Sequence, residues 1–418
     1  MLDSLFSVGL DLLAFVFPIS LAASNIVFFP LAALWLFGAR WTFSRWPPLW
    51  GRPEKLFLIF LGVSLLSALL GIDPMHSLRE IKNKDLYLII TVVLVALVRD
   101  REKQKRLLRF FMAAGVLTAV WGLIQYAVGV NQSDKSGGFF FYLPPALVHW
   151  PRPVLDKLSL LDGRAMGTRG HPLAYAECLL FNWAFALCFL LSSRGREWLK
   201  WLLYTALIGA ALLVSQSRGP WIAAGIIFVL ALILSESRRK GLLLGVGVVF
   251  LMVFAAVPTL RHRVMSISDP SHHSNSERLH MWHAGWVLWN THPLFGIGPG
   301  DVKQVSAGFQ DAEERVWGTW GHLHSIYVNF LAERGLLGLF AFLIFVGALF
   351  REIGQAFRTT SGDSWRSAVL LACLLGMVGF LVGGLTEASY NTAVVIMTFY
   401  FVVGIALSLT RHSQAPGV

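Results

Sequence analysis

The apolar stretch GLLLGVGVVFLMVFAAV occupies residues 241–257 and is followed at once by Pro258 and a long, more polar segment that extends to Gly338. A bilayer core of about 30 Å is crossed by a helix of roughly 20 apolar residues. Similar runs recur at 5–21, 24–40, 56–72, 86–98, 107–130, 172–193, 200–214, 219–235, 336–350, 367–385 and 392–410. Together these runs predict an all-α, polytopic integral membrane protein with about twelve transmembrane helices.

The composition supports this class and excludes others. Of 418 residues, 56% are hydrophobic and 14% are charged, compared with roughly 25% charged in soluble domains. The net charge of +11 does not indicate nucleic-acid binding, because the cations lie mainly in short loops between apolar runs. Cys178, Cys188 and Cys373 all fall within such runs, so the sequence supports neither a disulfide framework nor a thiolate metal site.

Basic residues are distributed unevenly between the two sets of loops that alternate along the predicted spans. One set contains twenty of them and the short loops of the other set contain four. The richer set comprises Arg40, Arg45, Arg52, Lys55, Arg99, Arg101, Lys103, Lys105, Arg106, Arg109, Arg194, Arg196, Lys200, Arg238, Arg239, Lys240, Arg351, Arg358, Arg366 and Arg411, and the poorer set comprises Arg79, Lys82, Lys84 and Arg218. Because loops rich in Lys and Arg stay in the cytoplasm, the bias predicts that both termini are cytoplasmic.

Two long segments then lie on the outer side, Asn131–His171 and Pro258–Gly338. We predict a single membrane domain over residues 1–418, with 258–338 as a large helical outer segment between the ninth and tenth spans. The spacing of apolar residues from Glu277 to Asn290 predicts a helix within it. Near the N-terminus, Pro18 and a predicted turn at Ala22–Asn25 interrupt the first two runs.

Two arginines on the predicted outer side precede a span. Arg218 follows Ser215-Gln216-Ser217 and comes just before Gly219-Pro220, while Arg164 lies among the glycines at 163, 167 and 170. Arginine offers a fork of N–H donors to phosphate oxygens, and a helix start presents free backbone N–H groups to an anion. The alternatives are an interfacial anchor for Arg218 and an ordinary loop for Arg164.

The segment from Pro258 to Gly338 contains the remaining candidates. Glu277 and Arg278 begin the predicted helix, whose alternative role is that of an interfacial helix with solvated charges. His322 and His324 are two residues apart, so they cannot share one helix face, and one could face a ligand while the other supports the turn. A histidine can act as a general base near neutral pH, although lone histidines are often structural. We find no third and fourth ligand at a spacing suited to zinc.

Four short motifs follow one another in an order that resembles the O-antigen ligase and polymerase superfamily. They are Arg164-x-x-Gly167; Ser215-x-Ser217-Arg218-Gly219; Glu277-Arg278 with Pro293-x-Phe295-Gly296-x-Gly298; and His322-x-His324-Ser325-x-Tyr327 with Glu333-x-Gly335-Leu336-Leu337-Gly338. The resemblance runs from Arg164 to Gly338, and the plan of spans is similar elsewhere. One departure is Arg169-Gly170-His171, where the family tends to have a smaller turn ending in Pro-Asn.

The resemblance implies a GT-C-like glycosyltransferase of the bacterial inner membrane, with its active site on the periplasmic side and with no metal or cofactor. The donor would be a glycan on undecaprenyl pyrophosphate. For an O-antigen ligase of lipopolysaccharide biosynthesis, the acceptor would be a sugar hydroxyl of lipid A–core. By position, Arg164, Arg218 and Arg278 would contact the donor pyrophosphate and His324 would be the catalytic base, with His322 and Glu277 in support. Direct attack by the hydroxyl would invert the anomeric centre.

Two alternatives stay open at the level of sequence. An O-antigen polymerase belongs to the same superfamily, and the basic balance of the chain favours the ligase because that balance suits an anionic lipid acceptor. A transporter or flippase for the lipid-linked sugar is a different class, and it would need charged residues along a path across the bilayer. The predicted spans contain few charges in their interiors, which favours the enzyme.

Overall fold

The computed structural model describes residues 2–39, 51–98, 100–128, 164–169, 171–237, 239–256, 258–267, 269, 273–310 and 319–412. Over these residues the secondary structure is helical, with no β-strand. The α-helices are α1 Leu2–Val16, α2 Leu21–Ala39, α3 Arg52–Leu70, α4 Pro74–Lys84, α5 Leu88–Leu97, α6 Arg101–Val128, α7 Pro172–Ser192, α8 Glu197–Val214, α9 Arg218–Leu234, α10 Lys240–Ala256, α11 Pro258–Met265, α12 His273–Thr291, α13 Val302–Val305, α14 Ile326–Thr359, α15 Ser364–Gly383 and α16 Ala393–His412. Short 3₁₀ turns lie at Asp85–Tyr87, Ser306–Phe309 and Ser389–Asn391.

Seven of the described helices are long and apolar enough to cross a membrane, judged by length and composition, namely α3, α6, α7, α8, α14, α15 and α16. Shorter apolar helices lie at Phe6–Val16, Leu21–Leu34 and Arg218–Leu234. Each predicted apolar run contains a helix, but α5 has only 10 residues and α10 has 17. The all-helical class with many candidate spans is therefore confirmed for the described residues, while the number twelve and the GT-C-like fold stay predictions.

Three predictions for the regions between or within the apolar runs have different outcomes. The predicted turn at Ala22–Asn25 is wrong, because these residues lie inside α2 and the chain turns between Val16 and Leu21 instead. Pro18 lies in that turn, where its fixed φ and missing N–H disfavour a continuing helix. Most of the predicted outer segment Asn131–His171 lies outside the described residues. The predicted helix over Glu277–Asn290 is confirmed as part of α12.

The centre of the bundle is formed by α7 and α16, which are buried along almost their whole lengths. α7 packs against α8, α9, α15 and α16, and α16 also packs against α5. α7 begins with Pro172 in its first turn, where proline is tolerated because that N–H has no helical partner. The His171 side chain caps this end by accepting a hydrogen bond from Leu173 N at 3.3 Å. The start of α7 is thereby fixed at the end of the bundle that holds the candidate site.

α14 is broken at Gly335, whose φ of 65° and ψ of −171° are not helical. This conformation is essentially restricted to glycine. A loop, Pro293–Gly298, lies against the break and satisfies the backbone groups that it frees. Leu336 N donates to Pro293 O at 2.9 Å, and Ile297 N donates to Ala332 O at 2.9 Å. The approach is close enough that a Cβ on Gly335 would lie 2.3 Å from the carbonyl carbon of Leu294.

The upper segment of α14, from Ile326 to Arg334, is fastened to the rest of the bundle by a buried ion pair. Arg334 is 1% exposed, and its Nη2 lies 3.1 Å from Asp85 Oδ2. Its guanidinium also lies over the ring of Phe330, 4.7 Å from the centroid, a favourable cation–π arrangement. Asp85 also accepts a hydrogen bond from Tyr390. This segment is therefore held by the turn after α4 and by the turn before α16.

Candidate active site

The turn that precedes α14 is tied to the end of α15. Ser325 caps α14 by accepting a hydrogen bond from Val328 N at 3.4 Å. Ile326 N donates to Gly384 O at 2.8 Å, and Tyr327 Oη donates to Leu381 O at 2.9 Å. His324 stands just before this cap with a positive φ of 46°, an uncommon conformation for a residue other than glycine. These contacts bring His324 to the loop that follows α15.

In that loop, Glu387 joins two of the predicted site residues. His324 Nδ1 lies 2.7 Å from Glu387 Oε2, and Arg278 Nη2 pairs with the other oxygen, Oε1. The Glu387 side chain is 3% exposed, whereas that of His324 is 30% exposed. The carboxylate is thus buried behind the histidine, and the imidazole keeps an accessible edge.

The ionisation of Glu387 fixes which nitrogen of His324 donates. Burial raises the pKa of Glu387, but the hydrogen bond and charge of His324 and the charge of Arg278 outweigh burial, so the pKa lies below its usual value. An ionised carboxylate can only accept hydrogen bonds. His324 therefore carries a proton on Nδ1, and in the neutral ring its Nε2 has a free lone pair. A histidine oriented in this way by a carboxylate is suited to act as a general base.

His322 packs against His324 and does not pair with the Glu387 carboxylate as His324 does. The two rings meet edge to face, with centroids 4.4 Å apart. Burial lowers the pKa of His322 to about 3, with a further contribution from the positive charge of His324 and smaller ones from Lys84 and His171. His322 is consequently neutral at physiological pH, and its contact supports the turn.

Arg218 is buried at the start of α9 and makes its hydrogen bonds within the protein. Its Nη1 donates to Ser266 O at 2.6 Å, and its Nη2 donates to Asn275 Oδ1 at 2.8 Å and to Ser274. These contacts fasten α9 to Ser266, just after α11, and to the first turn of α12. The charges of Arg263, Arg278 and Glu387 act on Arg218 over a longer range, so the arginine belongs to the same end of the bundle as the His324 pair.

Arg164 contacts the turn that leads into Arg218. Its Nε donates to Ser215 O at 3.2 Å and its Nη2 donates to Ser217 Oγ at 3.3 Å. Ala165 N also donates to Val214 O at 2.9 Å. The motifs at 164–167 and 215–219 therefore form one contiguous structure at the end of α8 and the start of α9.

At one end of the bundle, contacts through Glu387 join Arg278 to His324, on which His322 packs, and Arg164 contacts the turn before Arg218, so five of the six predicted site residues fall into two groups there. The sixth, Glu277, is half-buried on α12, and no hydrogen bond or ion pair is described for it. Among the described residues there is no group of three His, Cys, Asp or Glu side chains placed to hold a metal ion.

Sequence reasoning missed Glu387. It lies 63 positions after His324, outside all four motifs. Its position in the sequence could have identified it, because Glu387 is an acidic residue three positions after Gly384, at the predicted outer end of a span. Charged side chains at span ends are uncommon enough to deserve a functional hypothesis. Arg263 was missed for a similar reason, and its Nε donates to Gln216 O at 3.3 Å beside Arg218.

The fold and the site define a helical, multi-pass protein with a paired histidine and several arginines clustered at one end of its bundle. Residues 203–343 match the family model described as O-antigen ligase. This match supports membership of the O-antigen ligase/polymerase superfamily, so the resemblance carried by the motifs is confirmed. Arg218, Arg278, His322 and His324 lie inside the matched region, whereas Arg164 and Glu387 lie outside it. No curated protein matches the chain.

Proposed function

We propose that this protein is an O-antigen ligase that transfers a glycan from undecaprenyl pyrophosphate to a sugar hydroxyl of lipid A–core, at the periplasmic face of the bacterial inner membrane. The family match supports ligase or polymerase activity. The observation on which the chemistry rests is the 2.7 Å contact between His324 Nδ1 and the buried carboxylate of Glu387.

In this proposal the acceptor hydroxyl attacks the anomeric carbon of the donor sugar directly. The new bond forms between the acceptor oxygen and that carbon while the bond from the carbon to the pyrophosphate oxygen breaks, which inverts the anomeric centre. His324 Nε2 takes the hydroxyl proton, and Glu387 stabilises the imidazolium that results. The leaving group departs as undecaprenyl pyrophosphate.

The arginines would stabilise the charge that develops on the departing pyrophosphate. Arg278 is suited to this role because its side chain is 22% exposed and only its Nη2 is used by Glu387. Arg218 and Arg164 would act from the neighbouring turn, with Arg218 also holding the start of α12 in place. Three guanidinium groups can neutralise this charge without a metal ion, so we propose a metal-independent reaction.

The test separates chemistry from binding in purified protein. His324→Ala removes the base but leaves the arginines, so we expect transfer to be abolished while donor affinity changes little. His322→Ala is the matched control and should reduce transfer less, because His322 packs on the base without replacing it. Normal transfer by a folded His324→Ala protein would contradict the mechanism. If the normal protein, reconstituted in vesicles, moves lipid-linked glycan across the vesicle membrane without forming any product, it is a transporter.

The acceptor distinguishes the ligase from the polymerase. Purified protein is given lipid-linked glycan alone, or the same donor together with lipid A–core. A ligase forms product only when lipid A–core is present. Longer chains on the carrier lipid in the reaction without lipid A–core would show a polymerase and overturn the proposed acceptor.

A further inference from the structure

A cavity of about 460 Å³ lies at the end of the bundle opposite His324. It is formed by the start of α6, the end of α7, the start of α8 and the start of α15, and the candidate active site shares no residue with it. Its size falls within the range of pockets that hold small ligands in proteins, roughly 300–1,000 Å³. The cavity therefore needs an explanation separate from glycan transfer.

The inner part of the cavity is apolar. Leu108, Met112 and Phe189 line it and are buried. Trp201 stacks on Phe189 with ring centroids 4.5 Å apart, and Trp365 lies at another side. Leu199 and Leu203, which flank this part of α8, are 59% and 56% exposed, as expected of side chains that face lipid hydrocarbon. This part of the cavity suits the first methylenes of an acyl chain.

The rim of the cavity is cationic. Lys105, Arg109, Arg194 and Lys200 line it, with Glu197 as the one carboxylate in the lining. Lys105 and Lys200 each pair with a glutamate of their own helix, so Arg109 and Arg194 provide most of the uncompensated charge. Ser192, Ser193 and Ser364 add hydroxyl groups to the lining. The rim can therefore bind an anion that carries hydroxyl groups, with the cations pairing with its charge and the serines forming hydrogen bonds with its hydroxyl groups.

Positions 105, 108, 109 and 112 succeed one another at spacings of three, one and three residues, so they share one face of α6. Both cations of this face, Lys105 and Arg109, lie near the start of α6, and the residues of α6 that follow Arg109 carry no charge. A phospholipid has the same order of chemistry, with a charged headgroup at the interface and acyl chains below it. Basic pockets between transmembrane helices are known to bind anionic headgroups.

We propose that this cavity binds an anionic phospholipid, with the phosphate between Arg109 and Arg194 and the upper acyl chain against Met112, Phe189 and Trp201. The ligand class follows from the combination of an apolar floor, an excess of cations and hydroxyl groups at the rim. The site does not depend on whether the enzyme is a ligase or a polymerase.

The test uses full-length protein purified in detergent and titrated with phosphatidylglycerol, followed by native mass spectrometry. Near a membrane surface each cation strengthens the binding of an anionic lipid by about fivefold. Arg109→Gln combined with Arg194→Gln should therefore weaken binding by about 25-fold. Phosphatidylcholine, which has no net charge, should bind normal protein much more weakly than phosphatidylglycerol.

Arg351→Gln combined with Arg358→Gln is the matched control, because it removes two exposed arginines from the same end of the bundle, outside the cavity. It should change phosphatidylglycerol affinity by less than about twofold. Ser192→Phe keeps all four cations but fills part of the cavity, and it should also weaken binding. This second variant tests the site even if the double arginine change impairs folding.

Three outcomes would overturn the proposal. The arginine variants at the cavity and outside it could lose affinity equally, which would show a general effect of charge. Phosphatidylcholine could bind as well as phosphatidylglycerol. Free glycerol 3-phosphate could displace the lipid at similar concentrations, which would identify a site for a soluble phosphate instead.

Discussion

Glu387 joins His324 to Arg278. Replacing Glu387 therefore tests how the base is oriented while leaving the base, His324, in place. Glu387→Gln keeps the size of the side chain but replaces an obligate acceptor with an amide that can also donate. The Nδ1 tautomer of His324 is then no longer fixed, and the imidazolium loses its counter-charge. We expect kcat to fall by about 10²-fold or more, measured as glycan transfer by purified protein at saturating donor.

Glu277→Gln is the matched control for this change. It alters the same functional group on a helix that also contributes Arg278, but the structure describes no contact between Glu277 and the histidine pair. We expect a change in kcat of less than about threefold. Equal losses in the two variants would show that Glu387 acts through general charge rather than through His324.

His322 makes stability depend on pH. Its pKa in the folded protein is lowered to about 3, chiefly by burial, whereas an unfolded histidine titrates near about 6.5. Between these values the unfolded chain binds more protons, so stability falls as the pH falls. From pH 7 to pH 5 the loss from this one residue is at most about 2 kcal/mol.

Replacing His322 by Gln should remove this part of the acid sensitivity. The measurement is the unfolding temperature in detergent at pH 7 and pH 5, compared between the normal protein and the variant. Glu387 acts in the same direction at lower pH, because its lowered pKa means that its stabilising contribution is lost as the pH falls below about 4.5. An identical shift of the unfolding temperature in both proteins would show that His322 does not titrate as described.

At the scale of residues, the sequence predicted the histidine and arginine positions because short motifs mark them. It could not predict their partners. The Glu387 carboxylate reaches His324 because the hydrogen bond from Ile326 N to Gly384 O brings the two loops together. No local sequence pattern predicts that hydrogen bond. Likewise, nothing in the Arg218 motif indicates that its guanidinium donates hydrogen bonds to Ser266 and Asn275. The roles of these residues toward the donor stay predictions.

The break in α14 gives a sharp test at the scale of one element. Gly335→Ala places a Cβ 2.3 Å from Leu294 C in a backbone conformation that alanine strongly disfavours. We expect a loss of about 3 kcal/mol or more, seen as a lower unfolding temperature together with reduced transfer. A stable, fully active Gly335→Ala protein would show that the helix does not break there.

Gly347→Ala is the control in the same helix. Gly347 lies in the membrane segment, and a Cβ there meets nothing within 4 Å. Because alanine is the better helix former by roughly 1 kcal/mol, this variant should be as stable as the normal protein or slightly more stable. The contrast between two identical substitutions therefore isolates the effect of the backbone break.

The helices themselves were largely predictable, because apolar runs of membrane length leave few alternatives. The ends of the helices and the break within α14 were less predictable. The residues around Gly335 continue a helical pattern on both sides, and the partner that stabilises the break, Pro293–Gly298, belongs to another part of the chain. The same limit explains the misplaced turn near the N-terminus: Ala22–Asn25 has turn-like composition, but Pro18 had already ended α1.

At the scale of the whole molecule, orientation in the membrane is the prediction to test. Lys303 lies at the end of the bundle that holds the candidate site, and Glu102 lies at the end with the basic loops. Both are exposed, and the three native cysteines are buried. In intact cells, Lys303→Cys should react with a membrane-impermeant thiol reagent and Glu102→Cys should not. The opposite labelling pattern would reverse the topology.

The break at Gly335 also has a mechanical consequence. An unbroken helix behaves as a stiff rod, and a tilt of about 10° would move a point ten residues along it by roughly 3 Å. A displacement of this size is comparable with the 2.7 Å that separates His324 Nδ1 from Glu387 Oε2, so it would lengthen the contact beyond hydrogen-bonding distance. Membrane helices tilt when bilayer thickness changes. Because the upper segment is held by Gly384 and Asp85 and is separated from the rest of α14 by the break, we expect the histidine to keep its alignment in membranes of different thickness.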